Sequence, residues 1–164
     1  MNNFAIKIAI KLIYNMFINT SLADYLAQYN IVWAEDLPAN TPPNDIVFAE
    51  GNDDYIFRLS ESETGYNEQD FVPLARKPHR QFNQNLLGQS YGLSSFINED
   101  AARRHMLLPQ IRGKFKSLVK ICINPEYGVL KNTPSKNNVD HFTWWHTQAF
   151  MQKLQTEQII IKIE

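Results

Sequence analysis

Hydrophobic positions along this chain alternate between the two-residue period of strands and the 3.6-residue period of helices. Phe4 to Ile18 is almost all apolar, and its polar positions Lys7, Lys11 and Asn15 fall four apart, forming one narrow stripe on a helix. Two internal lysines and a length below the ~18–20 apolar residues of a membrane span predict no transmembrane crossing. The stretch predicts a docked apolar helix; an interfacial helix, or one used for a protein partner or self-association, fits the same pattern. No small-residue cleavage site follows it. Ser21, with Asp24 three residues on, caps a second short helix over Leu22 to Tyr29. Ile31 to Trp33 reads as a short strand, and Asp36 to Asp45, with three prolines, as an extended loop. The expected organisation is a helical appendage over residues 1–30 and a compact domain over 31–164.

Within that domain, Asp54 to Leu59 (DYIFRL) predicts a strand and Ser60 to Asp70 a loop. Phe71 to Leu87 is irregular and basic. Gly88 and Gly92 bracket a turn into a strand at Leu93 to Phe96. Asn98 caps a helix with Glu99 and Asp100 in its first turn and Arg103, Arg104 and His105 in its last, an order that suits the helix dipole, and Pro109 ends it. Phe115 to Ile123 is the strongest strand signal. A turn over Pro125 to Gly128 leads to a strand start at Val129–Leu130, and Asn132 to Asn138 is a loop. Trp144 to Gln155 predicts a helix and Ile159 to Ile163 a last strand. Strands and helices mix without regular alternation, so the expected class is α+β: a small mixed, mainly antiparallel sheet with several short helices and an apolar N-terminal helix.

Composition narrows this little. The chain has 164 residues, 44% of them hydrophobic, which is enough for one core. Cys122 is the only cysteine, so an internal disulfide or a cysteine-based zinc or iron–sulfur site is excluded; in its apolar run it reads as a small buried hydrophobe. A cytoplasmic setting is the expectation. Charge changes the picture more. The net charge is -1, yet Glu35 to Asp70 holds ten acidic residues and only Arg58 as a base, while Arg76 to Lys120 holds nine bases and two acids. The basic block needs counter-charge from the acidic block, a phosphate-bearing ligand or an acidic partner.

Four constellations can carry chemistry. His141 and His146 flank Trp144 and Trp145 in DHFTWWH; the five-residue histidine spacing does not fit one helix face, and the tryptophans either anchor a core or stack on a base or nicotinamide ring. Arg58 sits on a strand, as a structural ion pair or an anion ligand. Tyr91 to Phe96 (YGLSSF) lets the backbone approach a ligand, with Ser94 or Ser95 able to donate to a phosphate or ribose. Arg76, Lys77, His79 and Arg80, beside Phe82, suit nucleic acid or a pyrophosphate, or pair with the acidic block. No phosphate loop, GxGxxG or nucleophile-elbow pattern is present, and the isoelectric point near 6.4 disfavours broad nucleic-acid binding.

In order, FRLS at Phe57–Ser60, RQFN at Arg80–Asn83 and SYGLSSF at Ser90–Phe96 resemble a stretch of RES-domain toxins. Those proteins are ADP-ribosyltransferase-like and consume NAD. The resemblance covers roughly residues 54–105, and the layout is also similar to that of small stand-alone bacterial proteins. It implies NAD as a substrate, Arg58 as the phosphate-binding arginine and Ser94 or Ser95 near the nicotinamide ribose. It also implies a carboxylate, Glu99 or Glu126, that stabilises an oxocarbenium ion, and Tyr91 or Trp144 stacked on the nicotinamide. Glu99 departs from the family's spacing, which makes Glu126 the alternative. Three functions therefore stand as expectations: an interaction or toxin-like protein of a conflict system, using residues 4–18; an NAD-consuming enzyme; and a nucleic-acid binder through residues 76–120. No cofactor is required by the sequence itself.

Overall fold

The computed structural model describes residues 17–49, 54–78, 83–135, 138–156 and 159–163. The expected apolar helix over Phe4–Ile18 lies outside the described residues except at its end, where Phe17 and Ile18 are in a strand. Among the described residues eight strands form one sheet: β1 (Phe17–Ser21), β2 (Asp45–Ala49), β3 (Asp54–Ser60), β4 (Leu93–Phe96), β5 (Ser117–Ile123), β6 (Gly128–Asn132), β7 (His141–His146) and β8 (Ile160–Ile163). Their order across the sheet is β1-β2-β6-β7-β4-β3-β5-β8, and every neighbouring pair is antiparallel. Four α-helices among the described residues accompany it: α1 (Leu22–Gln28), α2 (Leu87–Ser90), α3 (Glu99–Met106) and α4 (Gln148–Thr156). The class is α+β, as the mixed pattern predicts.

The period-2 pattern sorts side chains between the two faces. On one face, Ile56 of β3, Val119 and Ile121 of β5, Phe142 and Trp144 of β7 and Leu130 of β6 pack with Phe71 and with Phe150 and Leu154 of α4. On the other face there are two smaller cores. Leu59, Phe96 and Leu118 pack under Ala101 and Ala102 of α3, while Phe48, Val129 and Trp145 pack with Tyr25 of α1. Each fully buried large apolar side chain contributes roughly 1.5–3 kcal/mol, so burial on both faces of β7 dominates the centre of the sheet.

Several expectations need correction. Trp144 to His146 belongs to β7, and the helix starts only at Gln148, after Thr147 Oγ1 accepts from the Phe150 N–H at 3.3 Å and so caps it. Both tryptophans are buried, on opposite faces, which removes the alternation that marks a strand. Ile31 to Trp33 is no strand; it makes one bridge, Trp33 to Thr147. Asp45 to Ala49, read in sequence as the end of a loop and beyond, is the strand β2. Cys122 is half-buried rather than a core residue.

One feature of the sheet positions the site. β3 pairs with β5 along its whole length, from Asp54 opposite Ile123 to Ser60 opposite Ser117. Its other neighbour, β4, meets it only at Phe57 opposite Phe96. Past that pair the two strands separate, and the sheet opens between Arg58–Ser60 and Leu93–Ser95.

Candidate functional site

Arg58 fills the opening. Its position on β3 turns its side chain toward the Phe71 face, with the guanidinium carbon 5.8 Å from that ring's centre. One terminal nitrogen donates to the Ser94 carbonyl, the group β4 turns toward the gap, and the other donates to the Asp70 carbonyl at 2.6 Å. The side chain thus replaces backbone bonds that the separated strands do not make. Arg58 is 7% exposed, its Nε is buried without a partner, and it makes no ion pair among the described residues. Burial lowers its pKa to about 10, against the opposing influence of Asp70, so it remains charged at neutral pH.

Around this cation lies a cleft of about 190 Å³, whose lining takes Arg58 from one face of β3 and Leu59 from the other. Its other charged groups are Lys77, Lys114, Glu61 and Asp70. Lys114 pairs with Glu61 at 3.3 Å. Asp70 accepts from the Ser60 hydroxyl at 2.7 Å and the Asn67 N–H at 2.8 Å, which secures the turn before Phe71. Lys77 makes no ion pair among the described residues, and desolvation lowers its pKa. Three cations therefore face two carboxylates that are already engaged. His105 of α3 completes the lining, tilted on Phe96 at 5.2 Å, with its Nδ1 buried and unpartnered.

The rim of the cleft carries a serine–histidine contact. Ser94 pairs with Thr143 across β4 and β7, and Phe96 with His141, which places Ser94 and His141 on one face. Ser94 Oγ lies 2.7 Å from His141 Nε2. On the far side of the ring, His141 Nδ1 is 3.0 Å from the Thr133 carbonyl oxygen and 3.0 Å from its hydroxyl. A carbonyl can only accept, so Nδ1 carries the proton and Nε2 accepts from the Ser94 hydroxyl. Burial holds the His141 pKa below the usual imidazole range, helped by His105 and Arg58 and opposed by the Thr133 bond, so the ring is neutral at pH 7.

Of the residues singled out in the sequence, the structure brings together Arg58, Lys77 and Ser94 on the cleft, with His141 against Ser94 at its rim. Ser95 is fully buried and donates to the Phe142 carbonyl at 3.3 Å. Glu99 is bound to Arg103 at 2.7 Å on α3, and Glu126 lies in the turn between β5 and β6; neither lines the cleft. Arg76 pairs with Glu35 at 2.9 Å and lies over the Tyr91 ring at 5.1 Å, so both are occupied by each other. Trp144 and Trp145 are core residues that do not line the cleft, and His146 is buried against Trp144 and Phe150. Arg80 and His79 lie outside the described residues. Sequence reasoning did not single out Lys114, Glu61, Asp70 or His105 for this site. Only the cleft itself collects them.

Among the described residues no helix is long and apolar enough to cross a membrane, and no group of three or more histidine, cysteine or acidic residues is placed to hold a metal ion. No family model, curated protein or solved structure matches this chain.

Proposed function

We propose that the cleft between β3 and β4 binds a phosphate-bearing ligand, with NAD the form that the RES-domain resemblance implies. The observation that carries this reading is the buried, charged Arg58, which makes no ion pair among the described residues. A buried charge held by main-chain carbonyls and a ring, with the Asp70 carboxylate near but not paired to it, is costly, and an anion entering beside it recovers part of that cost. Lys77, equally without an ion pair among the described residues, supplies a second cation on the same cleft. A pyrophosphate has the charge and hydrogen-bond acceptors to meet both. The resemblance puts Ser94 or Ser95 near the nicotinamide ribose, and of the two Ser94 lines the cleft while Ser95 is fully buried. The glutamates it implies do not line the cleft, so the proposal concerns binding first, and loss of NAD is a separate measurement.

Thermal unfolding tests it with pyrophosphate, ADP-ribose and NAD as separate additions. A ligand present at a hundred times its Kd adds about 2.7 kcal/mol and raises Tm by roughly 5–10 °C in a chain of this size. ADP-ribose and NAD should give such a rise, reduced in Lys77→Ala. No rise with any of the three overturns the reading.

A further inference from the structure

Ser94 borders two concavities. One is the cationic cleft; the other is a pocket of about 230 Å³ walled by Leu74, Leu86, Gln89, Ser90, His141 and Thr143. Leu74 and Leu86 are exposed large apolar side chains, 39% and 47% accessible, and they give this second pocket an apolar rim. The Ser94 hydroxyl is therefore solvent-accessible and flanked by a charged binding region and a greasy one. It is also within hydrogen-bond reach of an imidazole whose opposite nitrogen is fixed by a carbonyl. Nucleophile, base and an orienting acceptor in line are the arrangement that activates a serine.

We propose that Ser94 and His141 are the nucleophile and general base of an esterase site. Its substrate is a carboxylic ester with an apolar acyl group seated against Leu74 and Leu86 and an anionic alcohol portion in the Arg58–Lys77 cleft. Only the anionic half of that substrate rests on the ligand reading above; the serine–histidine step does not. In the first half-reaction Ser94 Oγ attacks the ester carbonyl carbon while its proton passes to His141 Nε2. The carbonyl electron pair moves to oxygen. A strand residue's N–H and C=O point the same way, so the Ser94 N–H faces the opening and can donate to that oxyanion. The carbonyl re-forms, the bond to the alcohol oxygen breaks, and the alcohol leaves with the proton from His141. Water then attacks the acyl–serine ester, giving its proton to His141. Ser94 leaves with that proton, and the net change is ester plus water to carboxylic acid plus alcohol. The Thr133 carbonyl is the positioning group: it holds the His141 tautomer and stabilises the imidazolium formed in each half-reaction.

A fluorophosphonate probe on the full chain, read by intact mass and peptide mapping, tests the pair. The expected result is one phosphonyl adduct at Ser94, absent in Ser94→Ala and formed ~10²-fold more slowly or worse in His141→Gln. An unactivated serine does not react with such a probe, so the wild-type chain decides the matter even where a variant fails to fold. No adduct on the wild type, an adduct on another residue, or an undiminished rate in folded His141→Gln overturns the proposal. Pyrophosphate should slow the labelling. Labelling at Ser94 that pyrophosphate leaves unchanged removes the anionic half of the substrate and keeps the pair; a thermal shift with pyrophosphate and no labelling does the reverse.

Discussion

At the scale of single residues the histidines divide by what surrounds them. His146 is 4% exposed between Trp144 and Phe150, and burial, with a smaller effect from Arg58, takes its pKa to about 3. His141 is shifted the same way, chiefly by burial, with smaller effects from His105 and Arg58. Both bind a proton more readily in the unfolded chain, whose histidines titrate near 6.5. Their contribution to stability is therefore complete above about pH 6.5 and is lost as pH falls toward the folded values. The urea midpoint should hold steady between pH 8 and 7 and drop from pH 6 to 4. Each such histidine adds up to about 1.4 kcal/mol per pH unit to the slope. In His146→Phe, which keeps an aromatic ring among aromatics, the slope should fall by about one proton; an unchanged slope removes His146 from this account. From sequence alone, Arg58, Ser94 and His141 were each legible as groups capable of chemistry. Their meeting was not, because Ser94 and His141 lie 47 residues apart and touch only through the β4–β7 register.

At the scale of elements, legibility followed burial. β3, β4 and β5 read correctly because runs such as DYIFRL and FKSLVKICI are dense in branched and aromatic residues. The start of α3 read correctly because Asn98 caps the helix through a 2.7 Å bond from the Ala101 N–H, while the helix ends at Met106, before Pro109. β7 did not, because a strand buried on both faces loses its alternation, and HFTWWH then resembles a helix entrance. β2 was hidden behind the proline-rich stretch that precedes it. The β4–β7 contact also explains Gly92. A Cβ there would come 2.2 Å from Thr143 Cγ2 and 3.2 Å from the Trp145 ring, on β7 side chains fixed by the core. Gly92→Ala should cost ~1–3 kcal/mol, lowering Tm by roughly 2–4 °C per kcal/mol. An unchanged melt shows that β4 can shift away from β7 freely.

Across the whole molecule the two charge blocks lie side by side, since β3 from the acidic block pairs with β5 from the basic one. They neutralise each other only in part. Glu35 with Arg76 and Glu61 with Lys114 are the ion pairs that join them among the described residues, and all four partners are at least partly exposed, where such pairs are worth little. What remains is concentrated where the sheet opens. That opening also separates β3, β5 and β8 from β4, β7, β6, β2 and β1. β2 and β6 meet at one pair as well, Val47 opposite Leu130, so native-state hydrogen exchange should resolve groups of amides with different opening free energies, divided between β3 and β4 and between β2 and β6. A single common value for all slowly exchanging amides contradicts this.

The Phe57–Phe96 rung has a mechanical counterpart. Pulled across its strands, a sheet gives way where the fewest bonds act in parallel, and the rung, reinforced by the Arg58 clasp to Ser94, is one of two such places, the other being Val47 opposite Leu130 between β2 and β6. Rupture at the Phe57–Phe96 seam leaves the β3–β5 and β4–β7 pairings intact on either side, so that seam is a soft line between two stiffer strand groups. Any anion that draws the guanidinium away from the Ser94 carbonyl softens that line further.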